Sequence, residues 1–352
     1  MISAVVINWN GRDYLEGCLA SLLQQEPPLD EIVVVDNHSD DGSRDFLAAR
    51  YPGVRVVDAG SNVGPASARN LGVQSTSGDR VLLVDNDVVL PPGTVAALSR
   101  TLEADPHCAV VQARSVCADQ AEFLHYDTAD LHVLGTLVLH GFFRPRAEVP
   151  SPVDPVGAVI ALCLLVRRDA FEEIGGFCAR MFILYEDNDL SYRLRMRGHT
   201  LRAAPDTFVL HAGGTAGLSF RSPEARYAGR RVTLHTRNRC LLLLRCMRWR
   251  TLVLTAPIQL LYALVYTAFA ASRGALFASL RGHVEAISAV PWALRARRSI
   301  QQGRKVADRD LLVALPMTAN PGLADRGLKA WVRRGLDQTC RLWWALVRPL
   351  CG

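Results

Sequence analysis

Two aspartates separated by one residue follow an apolar segment of strand length, and their types and spacing suit them to chemistry. Asp85, Asn86 and Asp87 come directly after four apolar residues at 81–84. Carboxylates are rarely buried without a partner, so two acids are not expected at the end of a buried strand for structural reasons alone. At the carboxyl edge of an α/β sheet, two such groups can hold Mg²⁺ or Mn²⁺ against the phosphates of a ligand. A solvated turn is the alternative for an isolated Asp-x-Asp.

Alternating strand and helix patterns predict how these acids are positioned. Apolar, β-branched runs predict buried strands at residues 2–7, 31–35, 54–57 and 80–84. Helical patterns fall between them, at residues 15–23, 43–50 and 65–74. This order predicts an α/β fold with a Rossmann-like, mostly parallel sheet flanked by helices. Asn8, Asp36 and Asp85 each end or follow a strand, so we expect them at the one edge where such sheets bind ligands.

A second acidic group opens a later helix. A strand is predicted at residues 157–166 and a short helix at 168–174, whereas residues 108–156 carry no pattern clear enough for a detailed prediction. Glu186, Asp187 and Asp189 then begin a helix that is predicted to reach residue 197. Because apolar residues precede it, Asp187 suits the role of a partly desolvated general base. Ordinary acids of a first helical turn are the alternative.

Charge divides the chain into two parts. Its 352 residues suffice for one large α/β domain with an appendage, or for two modest domains. Residues 221–352 carry 23 Lys and Arg against 6 Asp and Glu, whereas residues 1–220 carry 17 against 28. We therefore predict a catalytic domain over residues 1–220 that could hold a cation. We predict a basic, helical region over residues 221–352 that suits an anionic surface.

Cysteine usage and the start of the chain bear on the compartment. The nine cysteines include no Cys-x-x-Cys pair, which indicates neither a zinc site nor a disulfide framework. The first residues form no basic leader, and the apolar run at 4–7 is too short for a signal peptide. We therefore expect reduced thiols and a catalytic part that faces the cytosol.

Taken in order, the motifs resemble the inverting glycosyltransferases of family 2, which have the GT-A fold. The resemblance covers about residues 1–220, and its markers are Asn8-Trp9-Asn10-Gly11, Asp36-Asn37-His38-Ser39-Asp40-Asp41-Gly42-Ser43, Asn62-Val63-Gly64, Ala68-Arg69-Asn70-Leu71-Gly72, Asp85-Asn86-Asp87, Gly175-Gly176-Phe177, Glu186-Asp187-Asn188-Asp189-Leu190 and His211. The Asn-Trp-Asn-Gly form is similar to the rhamnosyltransferase-type branch, which builds bacterial surface polysaccharides. Any one marker is weak, but all of them in order are specific.

The resemblance implies a role for each of these polar residues. Those implied in binding the nucleotide sugar are Asn8, Asp36, Asn62, Arg69, Asp85 and Asn86. Asp36 would accept from a uracil or thymine N–H, with an Asx-turn as the alternative. Asp85 would reach the ribose hydroxyls. Arg69 would pair with phosphate, or would be a solvated helix residue.

The remaining implied roles concern the metal and the base. Asp87 would ligate Mg²⁺ or Mn²⁺, and His211 would complete the metal or diphosphate site unless it is structural. The cation would neutralise the charge that develops on the leaving nucleoside diphosphate. Asp187 would take the proton from the acceptor hydroxyl in a single displacement that inverts the anomeric carbon.

These roles predict transfer from a UDP- or dTDP-sugar to a hydroxyl of a glycan or glycolipid. A sugar-phosphate nucleotidyltransferase is one alternative, although Asn8-Trp9-Asn10-Gly11 is not a Gly-rich phosphate loop with a basic residue. A non-catalytic membrane protein that binds nucleotide sugar is the other, and the presence of Asp85, Asp87 and Asp187 counts against it. Apolar runs interleave with the basic residues of the C-terminal part, which favours lipid over nucleic acid.

Residues 251–272 form the longest uncharged segment of the chain. As a helix these 22 residues would extend about 33 Å, close to the roughly 30 Å of a hydrocarbon core. A single span would leave a run of arginines outside the cell, against the positive-inside tendency. We therefore predict a re-entrant or in-plane segment on the cytoplasmic face, with basic residues against anionic lipids. A buried helix of a soluble domain is the alternative.

Overall fold

The first four strands form a parallel sheet in the order β3-β2-β1-β4. The computed structural model describes residues 1–150, 155–213, 229–318 and 327–352. Its first elements are β1 (Ile2–Asn8), α1 (Arg12–Leu23), β2 (Glu31–Asp36), α2 (Ser43–Arg50), β3 (Arg55–Asp58), α3 (Gly64–Gln74) and β4 (Arg80–Asp85). Asn8 pairs with Asp36 in register, so the polar strand ends meet at one edge. The predicted alternation of strands and helices is confirmed.

The sheet continues beyond β4 with further strands, of which the sequence predicted β10 in part and left the others undetected. They are β5 (Val88–Val89), β6 (Cys108–Cys117), β7 (Gln120–Tyr126), β10 (Cys163–Arg167) and β11 (Thr200–His211), and the order is β4-β10-β6-β11-β5, with β7 on β6. β10 is antiparallel to both β4 and β6, which makes the sheet mixed. Helices α4 (Thr94–Glu103), α5 (Arg168–Glu173) and α6 (Glu186–Met196) pack beside it. A separate hairpin consists of β8 (Ala129–Leu131) and β9 (Leu137–Leu139).

The predicted strand at residues 157–166 is only partly correct. Strand pairing begins at Cys163, and the preceding residues run irregularly beneath the end of β4. There the carbonyl of Leu162 accepts a hydrogen bond from the backbone N–H of Asp85 at 3.0 Å. Apolar character alone could not separate a strand from an extended segment buried under the acidic edge.

Alternating side chains of the strands build a core on each face of the sheet. Val6 and Leu82 pack with Leu19 on one face, and Val5 and Leu83 pack with Ala68 on the other. Burial on both faces is typical of a parallel sheet covered by two helical layers. This rigid double layer holds the strand ends in place.

The C-terminal part is helical, as expected. Its helices are α7 (Gly229–Cys246), α8 (Trp249–Ser272), α9 (Leu276–Ser288), α10 (Val290–Gln302), α11 (Asp308–Leu311) and α12 (Leu328–Val347). Leu241 and Leu242 of α7 share one apolar core with Leu131 and Tyr192 of the N-terminal part. The predicted boundary at residues 220/221 lies outside the described residues. The two parts of the chain are therefore joined by a common core.

Among the described residues, one helix, α8, is long and apolar enough to cross a membrane by length and composition. Thr251, Ile258 and Tyr262 on one side of α8 are buried against the protein. Val253 and Leu264 on another side are 71% and 70% exposed. The helix is thus one-sided in its packing. All nine cysteines are free thiols.

Candidate active site

A cavity of about 450 Å³ opens at the carboxyl edge of the parallel strands. It brings together residues that lie far apart in the chain. Seven of the nine predicted site residues line it, namely Asn62, Arg69, Asp85, Asn86, Asp87, Asp187 and His211. Asn8 and Asp36 are not in its wall.

Asn8 and Asp36 lie behind the cavity, where a chain of hydrogen bonds connects them to Asn86 in its wall. The Asn8 amide donates to Asp36 Oδ1 at 3.0 Å, and its Oδ1 accepts from Asn86 at 2.7 Å. Asp36 is fully buried and also accepts from the backbone N–H of Ser39 at 3.0 Å and from Arg44 at 2.7 Å. Burial opposes the charge of Asp36, but these hydrogen bonds outweigh it and lower its pKa. A direct contact of Asn8 or Asp36 with a nucleotide stays a prediction.

Asp87 and His211 converge from β4 and β11. His211 Nε2 lies 3.2 Å from Asp87 Oδ2, and His211 Nδ1 lies 2.8 Å from Nδ1 of His125. Two ligands of one Mg²⁺, each at about 2.1 Å and at a right angle, are about 3 Å apart. The spacing of Asp87 and His211 therefore fits a shared divalent cation.

Within the described ranges, no group of three or more His, Cys, Asp and Glu is arranged to hold a metal ion. In this part of the chain, Asp87 and His211 are the pair whose spacing fits a cation. Mg²⁺ is commonly held by one or two carboxylates together with the phosphates of its substrate. The pair suits a cation that arrives with an anionic ligand better than a permanently bound one.

Arg69 is buried between the two acidic groups. Its Nη2 donates to Asp85 Oδ1 at 2.6 Å, and its Nη1 lies 3.7 Å from Glu186 Oε1. Only 4% of Arg69 is exposed, so the alternative of a solvated helix residue is wrong. Its Nε and Nη1 have no hydrogen-bond partner, which leaves donors available beside the cavity. Pairing of Arg69 with phosphate stays a prediction.

The loop before α6 is strained, and it positions the second acidic group. Phe182, Leu184 and Tyr185 have φ values of 65°, 70° and 71°, a region that large side chains seldom occupy. Such strain persists only where the surroundings over-determine the backbone. Asn238 of α7 supplies that restraint, because its buried amide donates to the carbonyls of Met181, Ile183 and Leu184 at 2.8, 3.0 and 2.8 Å.

Burial changes the proton affinity of the acids that follow this loop. It raises the pKa of Asp187 to about 6, although the nearby Arg69 charge opposes the shift. Burial, and then the charge of Asp187, raise the pKa of Glu186 to about 8. Burial thus favours the protonated form of both carboxyl groups, and the charge of Asp187 adds to this effect at Glu186. Within the described part of the chain, Asp187 Oδ1 has no hydrogen-bond partner, and Asp187 lines the cavity.

Asp189 is excluded as the base. It is fully buried, and it forms ion pairs with Arg193 at 2.5 Å and with Arg245. Both oxygens are thus engaged within the protein, and Asp189 does not line the cavity. Its role is to join α6 to α7.

The cavity also contains residues that sequence reasoning missed. They are His125, Tyr126, Phe182 and Arg230, whereas Trp9 and Asn37, which also line the cavity, belong to the motifs of the resemblance. His125 lies in β7, where burial alternates only over Leu124 and Tyr126, a pattern too short to identify a strand. Arg230 begins α7, about 40 residues beyond the acidic motif. Nothing in the sequence of α7 distinguishes Arg230 from its many arginine neighbours.

A cavity with an acid–histidine pair, a buried arginine and a carboxylate of raised pKa suits group transfer from an anionic donor. Residues 3–175 match the model of the glycosyl transferase family 2. The N-acetylglucosaminyl-diphospho-decaprenol L-rhamnosyltransferase of Mycobacterium tuberculosis is 30% identical over 235 residues, 60% of this chain and 76% of that protein. The chain belongs to glycosyltransferase family 2 and is similar to its rhamnosyltransferases, which confirms the resemblance seen in its motifs.

Two further comparisons agree with this assignment. A putative teichuronic acid biosynthesis glycosyltransferase of Bacillus subtilis is 35% identical over 91 residues, 25% of this chain and 36% of that protein. The crystal structure of GalNAc-T7 with UDP, GalNAc and Mn²⁺ has a TM-score of 0.58 at 16% identity, and the match covers 74% of this chain and 51% of that one. At this identity the likeness concerns the fold, and the expected GT-A architecture is confirmed.

Proposed function

We propose that the protein transfers a sugar, with inversion, from a UDP- or dTDP-sugar to a hydroxyl of a glycan or glycolipid in cell-surface polysaccharide synthesis. The observation that carries the proposal is that Asp187 lines the same cavity as Asp87 and His211. A proton acceptor therefore faces a pair suited to the diphosphate end of a donor. The rhamnosyltransferase relative, by its name, acts on a sugar carried by diphospho-decaprenol, which supports a lipid-linked acceptor.

Each residue has a defined part in this reaction. Asp187 takes the proton of the acceptor hydroxyl as that oxygen attacks the anomeric carbon, and the bond from that carbon to the diphosphate oxygen breaks. Asp87 and His211 would hold Mg²⁺ or Mn²⁺, whose charge stabilises the leaving diphosphate. Arg69 contributes a buried positive charge on the same side. Asp85 is held by Arg69 and lines the cavity, where it would meet the ribose hydroxyls of the donor.

We further propose that α8 lies in the plane of the cytoplasmic membrane surface and does not span it. Its inner side is bound to the protein, since the Gln259 amide donates to the carbonyl of Val133 at 2.8 Å. The indole of Trp343 donates to the carbonyl of Leu254, also at 2.8 Å. A spanning helix would have to leave these partners. The exposed apolar side chains of α8 and the basic residues around it suit the interface of an anionic bilayer.

The transfer proposal is tested with the purified full-length protein and a panel of dTDP-L-rhamnose, UDP-glucose, UDP-galactose and UDP-N-acetylglucosamine. We expect one donor to bind in the presence of Mn²⁺ and to be hydrolysed slowly without acceptor, with release of nucleoside diphosphate. Asp187→Asn is the control that should bind this donor without turnover. Binding without hydrolysis by the wild type would instead support a non-catalytic sensor. Release of pyrophosphate from a nucleoside triphosphate and a sugar phosphate would support a nucleotidyltransferase.

A further inference from the structure

A second cavity, of about 860 Å³, adjoins the active-site cavity. Phe182 and Arg230 line both of them. The second cavity lies between the loop before α6, the start of α7 and one side of α9. Its charged lining residues are Arg180, Arg230, Arg237, Arg281 and Glu285.

The charge of this cavity is strongly unbalanced. Among the described lining residues, Glu285 is the one carboxylate beside four guanidinium groups. Two of these already share it: Arg281 Nε at 2.8 Å and Arg237 Nη1 at 3.5 Å. Arg230 and Arg180 lie over aromatic rings, Phe182 at 4.6 Å and Trp292 at 5.1 Å. The net formal charge of these described lining residues is thus +3. Burial lowers the pKa of Arg237, so an anion bound beside it would relieve an unfavourable desolvation.

An apolar surface continues from the rim of this cavity along α9. Phe277, in the cavity lining, is 84% exposed, and Val284 and Ile287 farther along α9 are 65% and 70% exposed. Guanidinium groups that border a solvated apolar surface are suited to a ligand with an anionic head and a hydrocarbon tail. Guanidinium is also the side-chain group that best matches phosphate oxygens.

We propose that this second cavity binds the phosphate groups of a lipid-linked acceptor, with the lipid chain along the exposed side of α9. The inference rests on the proposed transferase function and specifies its acceptor as a polyprenyl phosphate or diphosphate that carries a sugar. The shared wall of Phe182 and Arg230 places the sugar next to the phosphate on the Asp187 side. The acceptor hydroxyl then reaches the base while its phosphate stays among the arginines.

The test uses the double variant Arg180→Ala/Arg281→Ala of the full-length protein, because both side chains are exposed and neither is needed to hold the loop before α6. Titration calorimetry would use farnesyl diphosphate as the probe, with farnesol as its uncharged counterpart. We expect farnesyl diphosphate to bind the wild type and to bind the double variant about tenfold or more weakly. Farnesol should bind neither protein measurably. Arg334→Ala, an exposed arginine of α12, is the matched control and should bind as the wild type does.

Two further measurements separate this inference from its alternatives. Affinity for the nucleotide diphosphate should be unchanged in the double variant, and thermal unfolding should show that it is folded. Equal binding of farnesyl diphosphate by variant and wild type would overturn the inference. The inference would also be overturned if the double variant bound farnesyl diphosphate as the wild type does but bound phosphatidylglycerol vesicles more weakly. The arginines would then bind bilayer headgroups. If no donor is hydrolysed by the wild type, the transferase proposal fails, whereas the titration still decides whether the cavity binds a lipid diphosphate.

Discussion

The side-chain amide of Asn238 lies 2.8 Å from the carbonyl oxygen of Leu184, three residues before Asp187. This contact joins α7, from the C-terminal part of the chain, to the loop that orients the proposed base. Leu184 and Tyr185 have a left-handed backbone conformation, which is strained for large side chains. Hydrogen-bond donors from outside the loop hold it in this conformation. The C-terminal helices thus help to build the active site of the GT-A fold.

Replacement of Asn238 by Ala should therefore impair turnover more than donor binding. Misplacing a catalytic group by about 1 Å can cost on the order of 100-fold in rate, and we expect a fall of about 10- to 100-fold in kcat. The measurement is kcat beside the Kd of the nucleotide, which should stay within about twofold. Gln338→Ala, an exposed amide of α12, is the matched control. A parallel loss of nucleotide affinity would show a general structural role.

Asp187→Asn should remove the base and keep its shape. We expect turnover to fall by about 10²- to 10⁴-fold, with nucleotide affinity nearly unchanged, in a steady-state assay of nucleoside diphosphate release. Asp45→Asn removes an exposed carboxylate of α2 and should leave the rate unaltered. Retention of more than about a tenth of the wild-type rate would assign the base to Glu186, since Asp189 is held by two arginines.

On the acidic side of the pH profile, the rate of transfer should fall at an unusually high pH. A carboxylate acts as a base only when ionised, and burial raises the pKa of Asp187 to about 6. The rate of transfer should consequently rise with pH through about 6 and be lost below it, whereas an ordinary aspartate would keep its charge to about pH 4. The profile of kcat/KM measures this fall in the free enzyme. A fall near pH 4 would contradict the desolvation of Asp187.

Metal dependence should follow from the Asp87–His211 pair. If Asp87 and His211 hold the cation together with the phosphates of the donor, EDTA should abolish donor binding and Mn²⁺ or Mg²⁺ should restore it. Asp87→Ala should show little binding of donor even with metal added, and Asp85→Ala a smaller loss. Calorimetric titration of the nucleotide with and without Mn²⁺ provides the measurement. Full activity in EDTA would leave Arg69 and His211 as the groups that neutralise the diphosphate.

Membrane association should depend on the outward side of α8. Val253→Glu/Leu264→Glu places two charges on its exposed stripe, and the protein should then fail to float with phosphatidylglycerol vesicles in a density gradient. Leu23→Glu, at an exposed position of α1, should float as the wild type does. A C-terminal reporter in cells should remain on the cytosolic side. An external reporter would demonstrate a true span, and a wild-type protein that is fully soluble without detergent would disprove both arrangements.

The parts of the fold that were predicted from sequence are those whose signal is local. Each strand from β1 to β4, and each helix between them, is recognisable from a few consecutive residues. The parallel pairing of these strands then brings their ends together. β6, β7 and β11 were missed because they mix parallel and antiparallel pairing and because residues of β7 line the cavity. Sequence patterns carry no information on such long-range pairing.

The candidate site was predictable to the same extent. Asp85, Asp87 and Asp187 stand at strand and helix ends, where their types are unexpected for structure alone. The environment of Arg69 was not predictable, since its burial depends on Asp85, Glu186 and the carbonyl of Ala161, which lie 16 to 117 residues away. Arg230 and Asn238 were missed for the same reason: their positions follow from how α7 packs.

The core that Leu241 and Leu242 share with Leu131 and Tyr192 has a consequence for recombining this protein with its relatives. A chimera joined near residue 220 would pair one parent's β8–β9 hairpin with another parent's α7, so two halves of a single interior would come from different sources. A stable chimera should be obtained when β8, β9 and α7 are moved together. The segments that must be exchanged together are thus far apart in the sequence but adjacent in the structure.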